Sequence, residues 1–160
     1  MAERFEVTTQ TIRRDVNDLR DRALLRRVLA GGFDAVMHFA AKSQVGESMR
    51  APVRYYDVNM GGTTALLDAM DSAGVKSLVF SSTCAIYGEP TYLPLDEQHP
   101  HAPVSVYGDS KAMVERMLAA AREREGFRVT ALRYFNAAGA MPDGSLGSRT
   151  IPRRTSSRSR

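Results

Sequence analysis

Between residues 33 and 134 short apolar runs alternate with long helical ones, and that alternation constrains the fold more than any other feature. Residues 33–39 read as an apolar strand, and 52–73 as a helix with Val58, Leu66, Leu67 and Met70 as its apolar positions and Gly74 as its stop. Residues 76–81 read as a second strand. A loop punctuated by Gly88, Pro90, Pro94, Pro100 and Pro103 follows. Residues 107–125 predict a second helix, with Met113, Met117 and Leu118 apolar and Gly126 as its stop, and 127–134 a third strand. Strands joined by helices this long imply right-handed βαβ units, a parallel sheet and an α/β fold. With 43% apolar residues the chain can bury a core. Its single cysteine excludes a disulfide framework and a multi-cysteine zinc site, and no metal is expected. No apolar run approaches the ~20 residues that span a bilayer. The charged first residues carry no secretory signal, so a cytoplasmic location is expected.

In open parallel sheets ligands bind at the carboxyl ends of the strands. Here those ends read His38-Phe39-Ala40-Ala41, Ser81-Ser82-Thr83 and Tyr134-Phe135-Asn136. The second helix opens with Tyr107-x-x-x-Lys111, a spacing that puts phenol and ammonium on one helical face. A nearby ammonium stabilises a phenolate, and a threonine hydroxyl close by would bond a reacting oxygen. This is an acid/base pair suited to oxidising an alcohol. The Tyr-x-x-x-Lys spacing alone is common by chance. Its position after a strand ending in Ser-Ser-Thr, inside a βαβ pattern, is what points to function. Other polar residues take plainer readings. Cys84 reads as a small buried residue, His38 as structural, His99 and His101 as solvated in the Pro-rich loop, and Met113 and Met117 as core.

Residues 33–147 resemble the central part of the UDP-glucose 4-epimerases, which are extended short-chain dehydrogenase/reductases of the NAD-dependent epimerase/dehydratase family. The segments that carry the resemblance are His38-Phe39-Ala40-Ala41, Val45-Gly46-Glu47-Ser48, Tyr55-Tyr56-Asp57-Val58-Asn59, Val79-Phe80-Ser81-Ser82-Thr83, Tyr87-Gly88, Tyr107-Gly108-x-Ser110-Lys111 and Leu132-Arg133-Tyr134-Phe135-Asn136. The related 4,6-dehydratases follow the threonine with an acidic pair. Cys84-Ala85 stand there in this chain, which favours an epimerase. The resemblance implies a Rossmann-type sheet, NAD as cofactor, a UDP-hexose as substrate and a homodimer. It gives Tyr107, Lys111 and Thr83 catalytic roles, with Tyr107 removing the C4 hydroxyl proton. It assigns Phe39, Ala40, Ala41, Asn59, Ser81, Ser82, Tyr107, Lys111 and Tyr134 to the cofactor. Thr83, Tyr107, Phe135 and Asn136 fall to the substrate. Some members carry a lysine two residues after the first motif's alanine; Ser43 stands there, and Lys42 lies one position earlier.

Both ends read differently from the middle. The net charge of +4 divides into +2 for residues 1–28, −3 for 29–148 and +5 for 149–160, so the bulk of the chain is acidic. Residues 1–28 resemble the winged helix-turn-helix of DeoR-type repressors. Thr9-Gln10-Thr11-Ile12-Arg13-Arg14-Asp15 matches the recognition helix, and Leu24–Val28 reads as a short strand packing back. That module's first helix has no counterpart, so DNA binding is not expected to follow. Nowhere is there a Gly-x-x-Gly-x-x-Gly to cradle a pyrophosphate. The sheet is therefore expected to lack its first βα units, to leave a strand edge exposed, and to be impaired in turnover. Residues 148–160 read by composition as a basic disordered tail. Back-translated from Thr150 with permitted codons and read from that codon's third base, the tail gives His-Pro-Glu-Thr-His-Leu-Ile-Pro-Leu. This resembles a segment that many of these epimerases carry next, so a frameshift near residues 147–150 is expected. The competing readings are a DNA-binding regulator fragment fused to an inactive epimerase core, and an inactive gene remnant.

Overall fold

A computed structural model of the chain describes residues 22–136. The expected recognition helix, the tail and its frameshift lie outside these residues. In order, the elements are α1 (Arg22–Leu29), β1 (Val36–His38), α2 (Val45–Arg50), α3 (Pro52–Tyr56), a π-helical stretch (Asp57–Gly61), α4 (Gly62–Ser72), β2 (Ser77–Thr83), a 3-10 turn (Cys84–Ile86), α5 (Val106–Glu125) and β3 (Arg128–Tyr134). Backbone angles stay helical across Tyr56, Asp57, Gly61 and Gly62, so α3, the π-helical stretch and α4 run on as one rod.

The strands are parallel and lie in the order β1-β2-β3. Val36 pairs with Leu78, and β3 pairs along β2 from Ser77↔Arg128 to Thr83↔Tyr134. Successive crossovers of one hand place α4 and α5 on the same face of the sheet. One cluster confirms this: Leu66, Leu67 and Met70 of α4 and Val114, Leu118 and Ala121 of α5 close over Leu78 and Phe80. Each such side chain contributes roughly 1.5–3 kcal/mol on leaving water. Side chains alternate along a strand, so Met37, Val79, Thr130, Leu132 and Tyr134 take the opposite face. No described residue covers that face, and Met37 is 63% exposed. The outer edge of β1 also has no partner among the described residues.

The helix stops follow the sequence. Gly74 adopts φ 71° and the Val75 amide reaches back to the Met70 carbonyl at 2.9 Å, while Gly126 at φ 71° ends α5. Three expectations fail. Residues 24–28 form no strand; they lie in α1, where Leu25 and Leu29, four apart, turn onto the core and Arg26 pairs with Asp68 of α4 at 3.0 Å. His99 is not solvated but 2% exposed: its Nε2 meets the Thr91 amide at 3.0 Å, and Tyr87 and Tyr92 pack on its ring. Cys84 and Met113 are half-buried, and Met117 borders the core rather than filling it, because Val114, Leu118 and Ala121 take the inward positions.

Candidate active site

Thr83 is the last residue of β2, and its backbone is extended there. Its Oγ1 accepts the Ala85 amide at 3.2 Å and so caps the 3-10 turn. The bond uses an oxygen lone pair and leaves the hydroxyl hydrogen free to donate. That turn packs against the start of α5 at Gly108. A Cβ on Gly108 would lie 2.5 Å from the Ala85 carbonyl oxygen, so only glycine permits the approach.

The start of α5 is anchored from two sides. Ser105 is the N-cap, and its hydroxyl accepts the Gly108 amide at 3.1 Å. Ser48 of α2 accepts the Tyr107 amide at 3.1 Å while donating to the Val45 carbonyl at 2.6 Å. The Tyr107 side chain is half-exposed, and its hydroxyl has no partner among the described residues. One turn on, Lys111 is 3% exposed. Its Nζ donates to the Ser81 carbonyl at 2.8 Å and sits 4.6 Å from the centre of the Phe80 ring. Burial lowers its pKa to about 8. A buried ammonium with one protein acceptor, a partnerless phenol and a free threonine donor thus lie on the elements that meet where β2 ends and α5 begins.

The remaining expected positions divide. Phe39, Ala40 and Ala41 follow the end of β1, while Tyr134 ends β3, Phe135 and Asn136 follow it, and all three lie exposed. Ser82 and Asn59, both expected to meet the cofactor, bond to protein groups. Ser82 faces the helices, and its hydroxyl is spent on Glu115. Asn59 accepts the Lys42 amide at 2.8 Å and donates to the Lys42 carbonyl at 3.1 Å and to Ser110 at 3.0 Å, so its amide ties α5 to the loop after β1. Lys42 pairs with Glu47 at 3.1 Å and is not free for a phosphate. His38 is structural, as expected. Thr63 spends its hydrogen on the Asn59 carbonyl at 2.7 Å, so His38 Nε2 must carry the proton in its 2.9 Å bond to Thr63. Burial, with Lys111 nearby, lowers the His38 pKa to about 4.

Residues 3–157 match the family model described as NAD dependent epimerase/dehydratase family. The chain belongs to that family. The match runs through residues 3–28, and nothing in the comparisons supports a separate repressor module there. This family member is 48% identical over 136 residues to the UDP-glucose 4-epimerase of Lactobacillus helveticus, covering 84% of this chain and 41% of that protein. Among solved structures, the UDP-glucose 4-epimerase of Brucella ovis in complex with NAD is 44% identical, with a TM-score of 0.79, over 82% of this chain and 41% of that one. The Bifidobacterium longum enzyme in complex with NAD+ and UDP is 40% identical, with a TM-score of 0.78, over 84% and 42%. The chain therefore spans about two fifths of the length of these relatives.

The residues of this epimerase/dehydratase chain fit one end of NAD. Lys111 and Tyr107 offer uncommitted donors of the kind a nicotinamide ribose takes. The pyrophosphate end has no glycine-rich turn in the sequence, and Lys42 and Asn59 are already bonded to protein groups. Sequence reasoning missed Ser48, Glu115, Arg133 and Tyr87 as parts of the site. Three of these four stand inside the segments that carry the family resemblance, and Glu115 lies four residues beyond Lys111 on the same helical face.

Proposed function

We propose that residues 33–147 are the catalytic segment of a UDP-glucose 4-epimerase, interconverting UDP-glucose and UDP-galactose. The observation that carries this reading is the bond from Lys111, on the α5 face that Tyr107 opens, to the Ser81 carbonyl two residues before Thr83 at the carboxyl end of β2. When bound, NAD supplies a hydride acceptor and donor for C4 of the sugar. Tyr107 takes the proton of the C4 hydroxyl and later returns it. Thr83 donates a hydrogen bond to the C4 oxygen, and the bond strengthens as negative charge grows there. Lys111 holds the nicotinamide ribose through its remaining N–H donors. Phe39, Ala40, Ala41, Ser81 and Tyr134 contribute to the cofactor side, and Phe135 and Asn136 to the substrate side. Pyrophosphate and UDP anchoring must come from beyond these residues, so we expect the isolated chain to bind NAD weakly and to turn over poorly. We also read the chain as cytoplasmic and, when whole, as a homodimer. No helix among the described residues is long and apolar enough to cross a membrane.

The test is a graft. Residues 33–147 replace the matching segment of the Lactobacillus helveticus enzyme, and the chimera is assayed with UDP-glucose in D2O. The expected product is UDP-galactose without deuterium at C4, because the hydride leaves and returns without exchanging with solvent. Deuterium at C4, or a folded NAD-binding chimera that makes no UDP-galactose, would overturn the reading.

A further inference from the structure

Glu115 has no role in the chemistry above, yet it lies on the Tyr107–Lys111 face of α5. Its side chain is 11% exposed and faces Arg133 of β3, itself 20% exposed. Arg133 Nη2 donates to Oε2 at 2.7 Å and Nε to Oε1 at 3.2 Å, a two-pronged fork. The Ser82 hydroxyl donates to the same carboxylate. Arg133 Nη1 then donates to the Tyr87 hydroxyl at 2.9 Å, with the guanidinium 5.2 Å from the Tyr87 ring centre. Burial alone would raise the Glu115 pKa, but the bonds from Arg133 and Ser82 bring it below the usual carboxylate range.

This group adjoins Thr83 through the backbone. Ser82 precedes it, Tyr87 closes the turn that it caps, and Tyr134, its partner across the ladder, follows Arg133. Among the described residues, only the local bond to the Ala85 amide fixes the Thr83 hydroxyl. A lysine could supply the charge of Arg133 but not the planar fork that holds both carboxylate oxygens and the Tyr87 hydroxyl at once. We propose that the Glu115–Arg133 pair is a positioning device for Thr83, clamping the chain on both sides so that its hydroxyl stays aimed at the reacting oxygen. The proposal rests on the reading of Thr83 given above.

The experiment compares the full chain with its Arg133→Lys and Glu115→Gln variants by amide hydrogen exchange. The Ala85 amide reports the Thr83 cap; Leu67 and Met70 of α4 report the core. The expected result is exchange faster by about tenfold at Ala85 than any change at Leu67 and Met70. Unchanged exchange at Ala85 in the folded variants, or a rise only in step with the core amides, overturns the proposal. In the grafted epimerase, Arg133→Lys is expected to lower kcat by about tenfold with KM kept within about twofold, since the lost alignment acts in the transition state. A graft with no turnover before any substitution counts against the proposed function alone, and the exchange measurement still decides the clamp.

Discussion

On its helix-covered face the sheet holds Phe80 at 1% exposure, whereas on the opposite face Met37 is 63% and Leu132 37% exposed. The covered face is closed by this chain's own α1, α4 and α5. The other face and the free edge of β1 have no cover among the described residues. The proposed site draws on both faces: Lys111 of α5 reaches the Ser81 carbonyl and Glu115 pairs with Arg133 beside Ser82 on the covered side, while Thr83, one residue on, alternates to the other face. Cofactor anchoring, by contrast, finds no glycine-rich turn in this sequence. The difference separates two properties that a whole enzyme merges. Under the proposed function, this segment places the reacting groups, and ligand anchoring falls to residues outside it.

The comparison can be attacked where the effect is largest. Phe80→Ala removes the ring that α4, α5 and Lys111 pack on and is expected to cost about 3–5 kcal/mol in urea unfolding. A loss under ~1 kcal/mol would mean that this face is not the core. The acid limb comes next. His38 titrates at about 4 when folded, against 6.5 for an ordinary histidine. Between those values the unfolded chain binds more protons, so stability falls as pH drops from 6.5 towards 4, by roughly 3 kcal/mol at most. Chemical denaturation from pH 7 to 4 should show this slope, and His38→Gln should flatten it. A smaller effect is expected at Lys111. Its buried ammonium opposes folding, so Lys111→Met should unfold no more easily than the parent, within about 1 kcal/mol, while abolishing turnover in the graft. The smallest belongs to the open face: Met37→Ser and Leu132→Ser are expected to change stability by less than about 0.5 kcal/mol while reducing self-association in sedimentation. A large loss from either would show that the open face is packed after all.

The sequence made the framework legible where periodicity or punctuation was strong. The three strands, the long helices and their glycine stops at Gly74 and Gly126 emerged within a few residues of the observed bounds. Tyr107, Lys111 and Thr83 were legible because a helix start and a strand end put chemistry at predictable places. Residues 24–28 were misread because a run rich in leucine and ending in valine suits a strand as well as a short helix. Only packing on α4, through Leu25 and Leu29, decides between the two. The burial of His99 was hidden because its ring partners, Tyr87 and Tyr92, flank it only once the Pro-rich loop has folded back. The Glu115–Arg133 pair was hidden for a related reason. Its partners are 18 residues apart, on a helix and a strand, and no local pattern joins them.

The central claim is that this segment supplies the acid/base chemistry of epimerisation through Tyr107. Its most direct test is the rate of UDP-glucose to UDP-galactose conversion by the grafted epimerase with and without Tyr107→Phe, a change that removes only the phenolic oxygen. A fall in kcat of about 10²–10⁴-fold, with NAD still bound, is the result the structure calls for. A Tyr107→Phe graft that retains kcat within a few fold would contradict it.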